Sequence, residues 1–242
     1  MRTNIKEVFK MNIEQFNNDI YKEYKSLDEN KFYIFKVFRE LKTFTKTNSI
    51  SLDVGCADGS FSKMLRDELG FTTYGIDISK DVVELAKKNN VIAIQHDLNK
   101  NLPYKNNSFD VIIACEIIEH IFDTDKLISE FNRVLKKDGI IIISTPNLAS
   151  LTNRIRLLFG LYPEYVPQYN ATSPLHIRAY TIPILKKQLE SHGFKIINIT
   201  SPNIPFPMIR NNIPFWIKNI AYKLGDYLPS FSSHIIMTLS KS

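Results

Sequence analysis

The sequence is poor in cysteine and has no long apolar run. Its 242 residues include two cysteines, Cys56 and Cys115, which are too few for a disulfide framework and are typical of a reducing compartment. No stretch approaches the ~18 uninterrupted apolar residues of a membrane-spanning helix. The N-terminus also lacks the apolar core of a signal peptide. These absences predict a cytoplasmic protein and leave room for peripheral contact with a membrane surface.

Acidic residues are scarce in the last part of the chain. Residues 1–150 carry a net charge of −1, whereas residues 151–242 hold 10 Lys+Arg and 3 Asp+Glu, a net charge of +7. The basic surplus therefore belongs to the C-terminal part and predicts an anionic partner there. Apolar residues make up 44% of the chain, which excludes disorder and provides for a full core.

Apolar periodicity divides the chain into an N-terminal helical extension, residues 1–47, and one α/β domain, residues 48–242. Apolar residues recur at helical spacing over 4–25 and 30–46. After them, short apolar runs alternate with helical segments. Such runs are typical of strands buried on both faces, and they predict a doubly wound, parallel sheet. Two insertions, 148–180 and 201–233, are expected to cover the carboxyl ends of the strands.

The motif LDVGCADGSFS carries the strongest functional signal. A strand ends at Val54, the chain turns through Gly55–Gly59, and a helix begins at Ser60. Helix N-termini point amide hydrogens at ligands, and glycine lets the backbone come close. The spacing is Asp-x-Gly-x-x-x-Gly and differs from the G-x-G-x-x-G of dinucleotide sites. Asp53 would repel a phosphate and attract a cationic ligand with an amino-acid end.

Two further acids follow strands. Asp77 ends the second strand, where a carboxylate accepts both hydroxyls of a ribose, although aspartate at that position is also a common helix cap. Asp97 follows the third strand and is placed to accept from an adenine amine, with Leu98 against the ring. The fourth strand runs into Cys115 and Glu116, which we expect to line the same crevice.

The order of LDVGCADGSFS, GIDIS, QHDL, SFDVIIACEIIEHI and LKKDGIIIISTPN resembles that of class I S-adenosylmethionine-dependent methyltransferases. The resemblance is to the small-molecule branch, which includes ubiquinone-biosynthesis and glycan methyltransferases, and it covers about residues 48–200. It implies a Rossmann-like sheet of seven strands in the order 3-2-1-4-5-7-6 with strand 7 antiparallel. Residues 194–200 would form strand 6 and residues 234–240 strand 7.

The resemblance also implies S-adenosylmethionine as cofactor and assigns residues to its parts. The methionine end maps to Asp53, Gly55, Cys56, Ala57 and Gly59; the ribose to Asp77, with Ile78 beside the adenine; the adenine to Asp97 and Leu98; and the strand-4 backbone contacts to Cys115 and Glu116. Ala57 departs from the family pattern, which has a third glycine at this point. Alanine is expected to be tolerated there at a negative φ.

Two histidines are candidate catalytic residues. Methyl transfer depends mainly on aligning the nucleophile with the methyl group, and a base is needed when the nucleophile carries a proton of high pKa. His120 follows the fourth strand and His176 follows a proline-rich loop. Each also has a structural interpretation, His120 as a helix-start residue and His176 as a loop anchor. No metal site is predicted, because Glu–His pairs at ligand spacing are too sparse.

These observations predict O-methylation of a small-molecule, glycan or lipid-linked acceptor of anionic character. Within the insertion 201–233, a short basic amphipathic helix is a lid, a dimer contact, a membrane-surface element or a helix packed on its own domain. A nucleic-acid methyltransferase is disfavoured, because CEIIEH stands where base-modifying enzymes carry an N-P-P-Y type motif. A catalytically silent, regulatory cofactor-binding domain is the other alternative.

Overall fold

The computed structural model describes residues 29–166, 176–205 and 215–241, with side chains from residue 33 onward and, in the last range, from residue 220. The predicted helix over 4–25 and parts of both predicted insertions lie outside these ranges. The strands are β1 (Ile50–Val54), β2 (Thr72–Asp77), β3 (Ile92–Gln95), β4 (Phe109–Cys115), β5 (Leu135–Pro146), β6 (Phe194–Thr200) and β7 (His234–Lys241). The helices are α1 (Glu29–Phe44), α2 (Ser60–Leu69), α3 (Lys80–Lys88), α4 (Thr124–Val134), α5 (Leu151–Leu158), α6 (Ile182–Ser191) and α7 (Phe215–Tyr227), with 3-10 turns at Ile118–His120 and Pro229–Phe231.

The seven strands form one sheet in the order β3-β2-β1-β4-β5-β7-β6. Strands β1 to β5 pair in parallel, whereas β7 is antiparallel to both β5 and β6. This confirms the predicted fold and strand order. Because β1 lies between β2 and β4, the winding direction reverses there, and the carboxyl ends of β1 and β4 border the crevice where ligands bind in such sheets.

Both faces of the sheet are buried. Ile112 and Ile113 are neighbours on β4, and they belong to different apolar clusters, one on each face. The second cluster includes Val37 and Leu41 of α1, so that helix covers one face of the sheet. Period-2 alternation of side chains explains why an unbroken apolar run serves both clusters.

One boundary differs from expectation at the start of β5. The pattern predicts a helix through residue 137, but α4 ends at Val134 and Leu135 is already extended. Leu135 is fully buried and pairs with Phe109 of β4. Burial and strand pairing therefore override the local helical pattern at this point.

Helix α1 is tied to α7 by charge as well as by packing. Lys36 Nζ lies 2.5 Å from Asp226 Oδ1, and the Arg39 guanidinium donates to both oxygens of Asp226 at 3.0 and 2.8 Å. Lys36 also lies over the Tyr222 ring, 3.9 Å from its centroid. The contacts join the N-terminal segment to the insertion between β6 and β7. No helix in the described part of the chain is both long and apolar enough to cross a bilayer.

Candidate active site at the carboxyl ends of the strands

The turn after β1 requires glycine at two positions. Gly55 and Gly59 both have φ of +75°, where side chains are strained. A Cβ on Gly55 would lie 2.0 Å from Ile117 Cδ1, and one on Gly59 would lie 2.9 Å from Ala86 Cα. The neighbours that forbid a side chain are thus the chain's own atoms, and the turn is packed tightly before any ligand is considered.

Ala57 does not have the negative φ that was expected. Its φ is +45°, in the left-handed region, a conformation that costs an L-residue about 1–2 kcal/mol. Its backbone N–H donates to Asp77 Oδ2 at 3.1 Å. This hydrogen bond ties the turn to the end of β2 and gives a physical reason for the strained conformation.

Asp53 is a buried carboxyl at the base of the turn. Its Oδ2 accepts from Ser62 Oγ at 2.5 Å. Burial, and then repulsion from Asp77, raise the pKa of Asp53 to about 6 in spite of that hydrogen bond. The carboxylate form therefore gains from any cation that enters the crevice.

Asp77 keeps acceptor capacity at the end of β2. Its Oδ2 accepts from Ala57 N and its Oδ1 from Ser79 N at 2.9 Å. Each carboxylate oxygen has two lone pairs, so one on each oxygen is left for a further donor such as a hydroxyl. Asp77 thus serves the turn and helix start while it is still able to bind a ribose.

The carboxyls of Asp53 and Asp77 form no ion pair with any residue that the structure describes. Two neighbouring carboxylates without a cation suit a ligand with positive charge and hydroxyl donors, and they disfavour a pyrophosphate or a 2′-phosphate. S-adenosylmethionine has a sulfonium, an ammonium and ribose hydroxyls. The residues present therefore fit this cofactor.

The residues predicted beside adenine lie next to this pair. Strand β3 pairs with β2 in a register that sets Gln95 beside Asp77, so Asp97, two residues beyond Gln95, is close to the same edge. Asp97 Oδ1 accepts from the backbone and side-chain nitrogens of Asn99, both at 3.0 Å. Ile78 is 67% exposed and available to a ring, whereas Leu98 is buried in the main core.

Beyond β4, the chain presents the half-buried acid Glu116 and the buried acid Glu119. Glu116 has a φ of +56°, its N–H donates to Ser144 O at 3.2 Å, and its Oε1 accepts from Ser144 Oγ at 2.8 Å. Burial, and then repulsion from Glu119, raise the pKa of Glu116 to about 8. Burial also raises the pKa of the Cys56 and Cys115 thiols to about 12, so neither is a thiolate near neutral pH.

The two candidate histidines come together here. The rings of His120 and His176 are 4.8 Å apart, edge to face. His176 is buried, and its Nδ1 lies 2.9 Å from Tyr165 O. Backbone N–H groups of Ile177 and Arg178 donate to Glu119 O at 2.9 and 3.2 Å, which fixes the segment that begins at His176 against the turn that carries His120.

Three neighbours of this cluster, Tyr33, Ser144 and His234, were not predicted from the sequence. Tyr33 OH lies 2.5 Å from Ser144 Oγ, and His234 Nε2 lies 3.4 Å from Glu116 Oε2. Burial, and then the nearby His176, lower the pKa of His234 to about 4. The predicted strand order would have found His234, because the start of β7 pairs with the end of β5 at Pro146. No sequence signal points to Tyr33.

Comparison with known proteins agrees with this geometry. The family model described as "Methyltransferase domain" matches residues 45–193. This chain belongs to the methyltransferase-domain family. An uncharacterised protein of Methanocaldococcus jannaschii is 32% identical over 231 residues, 89% of this chain and 90% of that protein.

Named relatives and solved structures agree with the family. A ubiquinone biosynthesis O-methyltransferase of Pelagibacter ubique is 40% identical over 100 residues, which are 40% of this chain and 41% of that enzyme. A Thermotoga maritima S-adenosylmethionine-dependent methyltransferase, described as a possible histamine N-methyltransferase, superposes with a TM-score of 0.64 at 17% identity, covering 95% of this chain and 98% of that one. The methyltransferase thus takes S-adenosylmethionine as its methyl donor.

Proposed function

We propose that this methyltransferase methylates a hydroxyl oxygen of a small-molecule acceptor. The observation that carries the proposal is the His120–His176 pair, with ring centroids 4.8 Å apart, at the carboxyl end of β4. The pair is close to the cofactor turn, because the side chain of Ile117 packs on Gly55. An acceptor placed at the histidines would therefore face the methyl donor.

The donor supplies an electrophilic methyl group on a positive sulfur. The protein's part is to align the acceptor and to take the hydroxyl proton, because a neutral hydroxyl is a poor nucleophile. A neutral amine already carries a free lone pair and needs no such group. Imidazoles at the acceptor position thus favour oxygen over nitrogen, and the similarity to ubiquinone O-methyltransferases supports the same choice.

Asp53 and its neighbours are proposed to hold the donor. Asp53, Gly55, Cys56, Ala57 and Gly59 would contact its methionine end, and Asp77 its ribose. Ile78, Asp97 and Leu98 would border the adenine. The backbone at Cys115 and Glu116 would line the crevice between donor and acceptor.

An acceptor screen tests the reaction. The purified chain is incubated with S-adenosylmethionine and panels of catechols and phenols with and without isoprenoid tails, lipid-linked sugars and amines, and S-adenosylhomocysteine release is measured. We expect turnover with hydroxyl acceptors. Turnover restricted to amines, or binding of S-adenosylhomocysteine without turnover on any panel, would contradict the proposal.

The insertion after β6 is proposed to form one wall of the acceptor pocket. Ser201 Oγ donates to Gly225 O at 2.7 Å, and Asn147 Nδ2, just after β5, donates to Ser230 O and Ser232 O at 3.1 and 2.9 Å. These bonds hold the described ends of the insertion at the carboxyl edge of the sheet, where the acceptor must enter.

The same insertion is proposed to rest on an anionic membrane surface that presents a lipid-linked acceptor. Among the residues of the insertion whose side chains the structure describes, the exposed apolar ones are Ile220, Leu224, Tyr227 and Leu228, and they lie in the part of the chain with a net charge of +7. Amphipathic elements of this kind bind interfaces through apolar area and attraction to anionic lipid.

Cosedimentation with anionic and neutral vesicles tests this contact. The double variant Leu224→Ser/Tyr227→Ser should bind anionic vesicles less than the wild type, and Leu85→Ser, an exposed leucine on α3, serves as the matched control. Binding of the wild type should fall at high salt. Equal sedimentation of all three proteins would contradict the membrane contact. It would not contradict the separate proposal that the insertion forms a wall of the acceptor pocket.

A further inference from the structure

Three potential metal ligands converge beside β4. The carboxylate of Glu119 and the imidazoles of His120 and His176 offer ligand atoms that all lie within 4.8 Å of one another. The sequence spacing gave no sign of this group, because His176 comes from a distant segment. In the fold, backbone hydrogen bonds to Glu119 O bring that segment back to the 3-10 turn.

Glu119 has one carboxylate oxygen without a donor. Its side chain is 1% exposed, and Oε2 accepts from Thr145 Oγ1 at 3.1 Å. Oε1 is buried and has no hydrogen-bond partner among the residues described; His120 Nε2 lies 4.0 Å from it. A buried oxygen of this kind is costly without a hydrogen-bond donor or a cation, so binding of a positive ligand at this oxygen would be favourable.

His176 presents its other nitrogen in the form that binds metals. Its Nδ1 lies 2.9 Å from the carbonyl oxygen of Tyr165. A carbonyl only accepts, so Nδ1 carries a proton, and the ring tautomer that makes this bond has its free lone pair on Nε2. Metal-binding histidines are commonly oriented by such a bond from the second ring nitrogen to a carbonyl or carboxylate. Thr145 orients Glu119 in the same way.

We infer that Glu119, His120 and His176 bind a divalent transition-metal cation of the Zn²⁺ type, with an open coordination position toward the acceptor. Two imidazoles and one carboxylate suit such ions, whereas Mg²⁺ and Ca²⁺ prefer oxygen ligands. Ligand atoms around tetrahedral Zn²⁺ are roughly 3.3 Å apart, so the group must close by a small movement. His120 is the member best able to move, since its side chain is 33% exposed.

The role of the cation rests on the proposed function. Its open position would take the acceptor hydroxyl and lower the pKa of that group. The hydroxyl proton then leaves to solvent, the oxygen lone pair bonds to the methyl carbon, and the electron pair of the sulfur–carbon bond returns to sulfur. The two imidazoles would thus act on the proton through the cation.

Metal binding is tested with Zn²⁺ alone, so that failure of the acceptor screen does not affect the result. Chelator-treated, dialysed wild-type chain is titrated calorimetrically with ZnCl₂, and bound zinc is counted after desalting. We expect about one Zn²⁺ per chain in the wild type. His176→Ala and Glu119→Gln should bind roughly 100-fold more weakly or worse, and Thr145→Val, which removes only the orienting hydroxyl, about 10- to 100-fold more weakly.

Controls separate the site from surface histidines and from misfolding. His192→Ala removes a histidine at the end of α6 and should bind like the wild type, and circular dichroism and S-adenosylhomocysteine binding check each variant's fold. Co²⁺ supplies a second readout, because its visible spectrum reports ligand geometry. Equal zinc binding by the wild type and His176→Ala, or preference for Mg²⁺ over Zn²⁺, would overturn the inference.

Discussion

The two halves of the crevice are built in different ways. On the cofactor side, the acids Asp53, Asp77 and Asp97 stand at or just after the ends of β1, β2 and β3. On the acceptor side, the functional groups come from α1, the turn after β4, the segment that begins at His176 and the start of β7. Local motifs thus define the proposed donor site, and long-range packing defines the proposed acceptor site.

The two halves also differ in their charge chemistry. The cofactor side contains the carboxyls of Asp53 and Asp77, whose negative charge suits a cationic ligand. The acceptor side combines the half-buried Glu116 and the buried Glu119 with three imidazoles. The methyl donor is the same for every member of the family, so its binding residues can stay fixed. Acceptor substrates differ between enzymes, and the long insertions lie on the acceptor side, where loops can vary.

The largest expected effect comes from breaking the acceptor side alone. His120→Ala should lower kcat about 10²- to 10⁴-fold, because the acceptor hydroxyl loses the group that helps remove its proton. The affinity for S-adenosylhomocysteine should stay within a few-fold, as measured by calorimetry. His192→Ala is the matched control and should turn over normally. Unchanged kcat at saturating acceptor would remove His120 from the mechanism.

The complementary change breaks the donor side. Asp77→Ala should weaken S-adenosylhomocysteine binding about 10- to 150-fold, because charged hydrogen bonds to two hydroxyls contribute roughly 1.5–3 kcal/mol. Asp81→Asn, an exposed acid on the first turn of α3, controls for net charge. A wild-type dissociation constant in Asp77→Ala would mean that Asp77 only holds the turn through Ala57 and Ser79.

A third change separates the N-terminal helix from the insertion. Asp226→Asn should lower the free energy of unfolding by about 1–3 kcal/mol, because Lys36 Nζ is fully buried and loses its counter-charge. It should also raise the KM for the acceptor and spare donor affinity, measured by denaturant unfolding and steady-state kinetics. Asp67→Asn, which breaks an exposed pair with Arg66, should cost less.

The same pair predicts a pH dependence. Burial alone would raise the pKa of Asp226, but hydrogen bonds from Arg39, Lys36 and Thr200 outweigh it and lower the pKa to about 2. A depressed carboxyl pKa stabilises the folded state above its unfolded value near 4, and this contribution is lost as the pH falls through about 2. The stability difference between the wild type and Asp226→Asn should therefore shrink from pH 4 to pH 2. A constant difference would contradict the pairing.

The smallest expected effect concerns the turn itself. Ala57→Gly relieves about 1–2 kcal/mol of left-handed strain and loses about 0.4–1 kcal/mol through a more flexible unfolded chain. The net gain of about 0 to 1.6 kcal/mol should raise Tm by up to about 6 °C in a chain of this size. Asn48→Gly, at φ +60° outside the site, should also stabilise. A fall in S-adenosylhomocysteine affinity in Ala57→Gly alone would show that the alanine methyl contributes to binding.

The sequence alone determined the alternation of buried strands with helices and the turn after β1, and its resemblance to class I methyltransferases implied the strand order. Strands that are buried on both faces must be apolar on both faces, and the glycines and acids of a strand–turn–helix unit lie within a few residues of one another. Both patterns are contiguous along the chain and can therefore be recognised in the sequence. The positive φ of Ala57 could not be predicted from the sequence, because it depends on a hydrogen bond to Asp77, which is distant along the chain.

Only the tertiary structure decided how the acceptor side is assembled. Nothing in the spacing of Glu119, His120 and His176 indicates a common site, and they meet because Ile177 and Arg178 donate to the carbonyl of Glu119. Tyr33 reaches Ser144 because the apolar face of α1 packs on the sheet. Contacts between distant segments arise from burial of apolar surface, which acts without reference to chain order, and a sequence pattern does not record them.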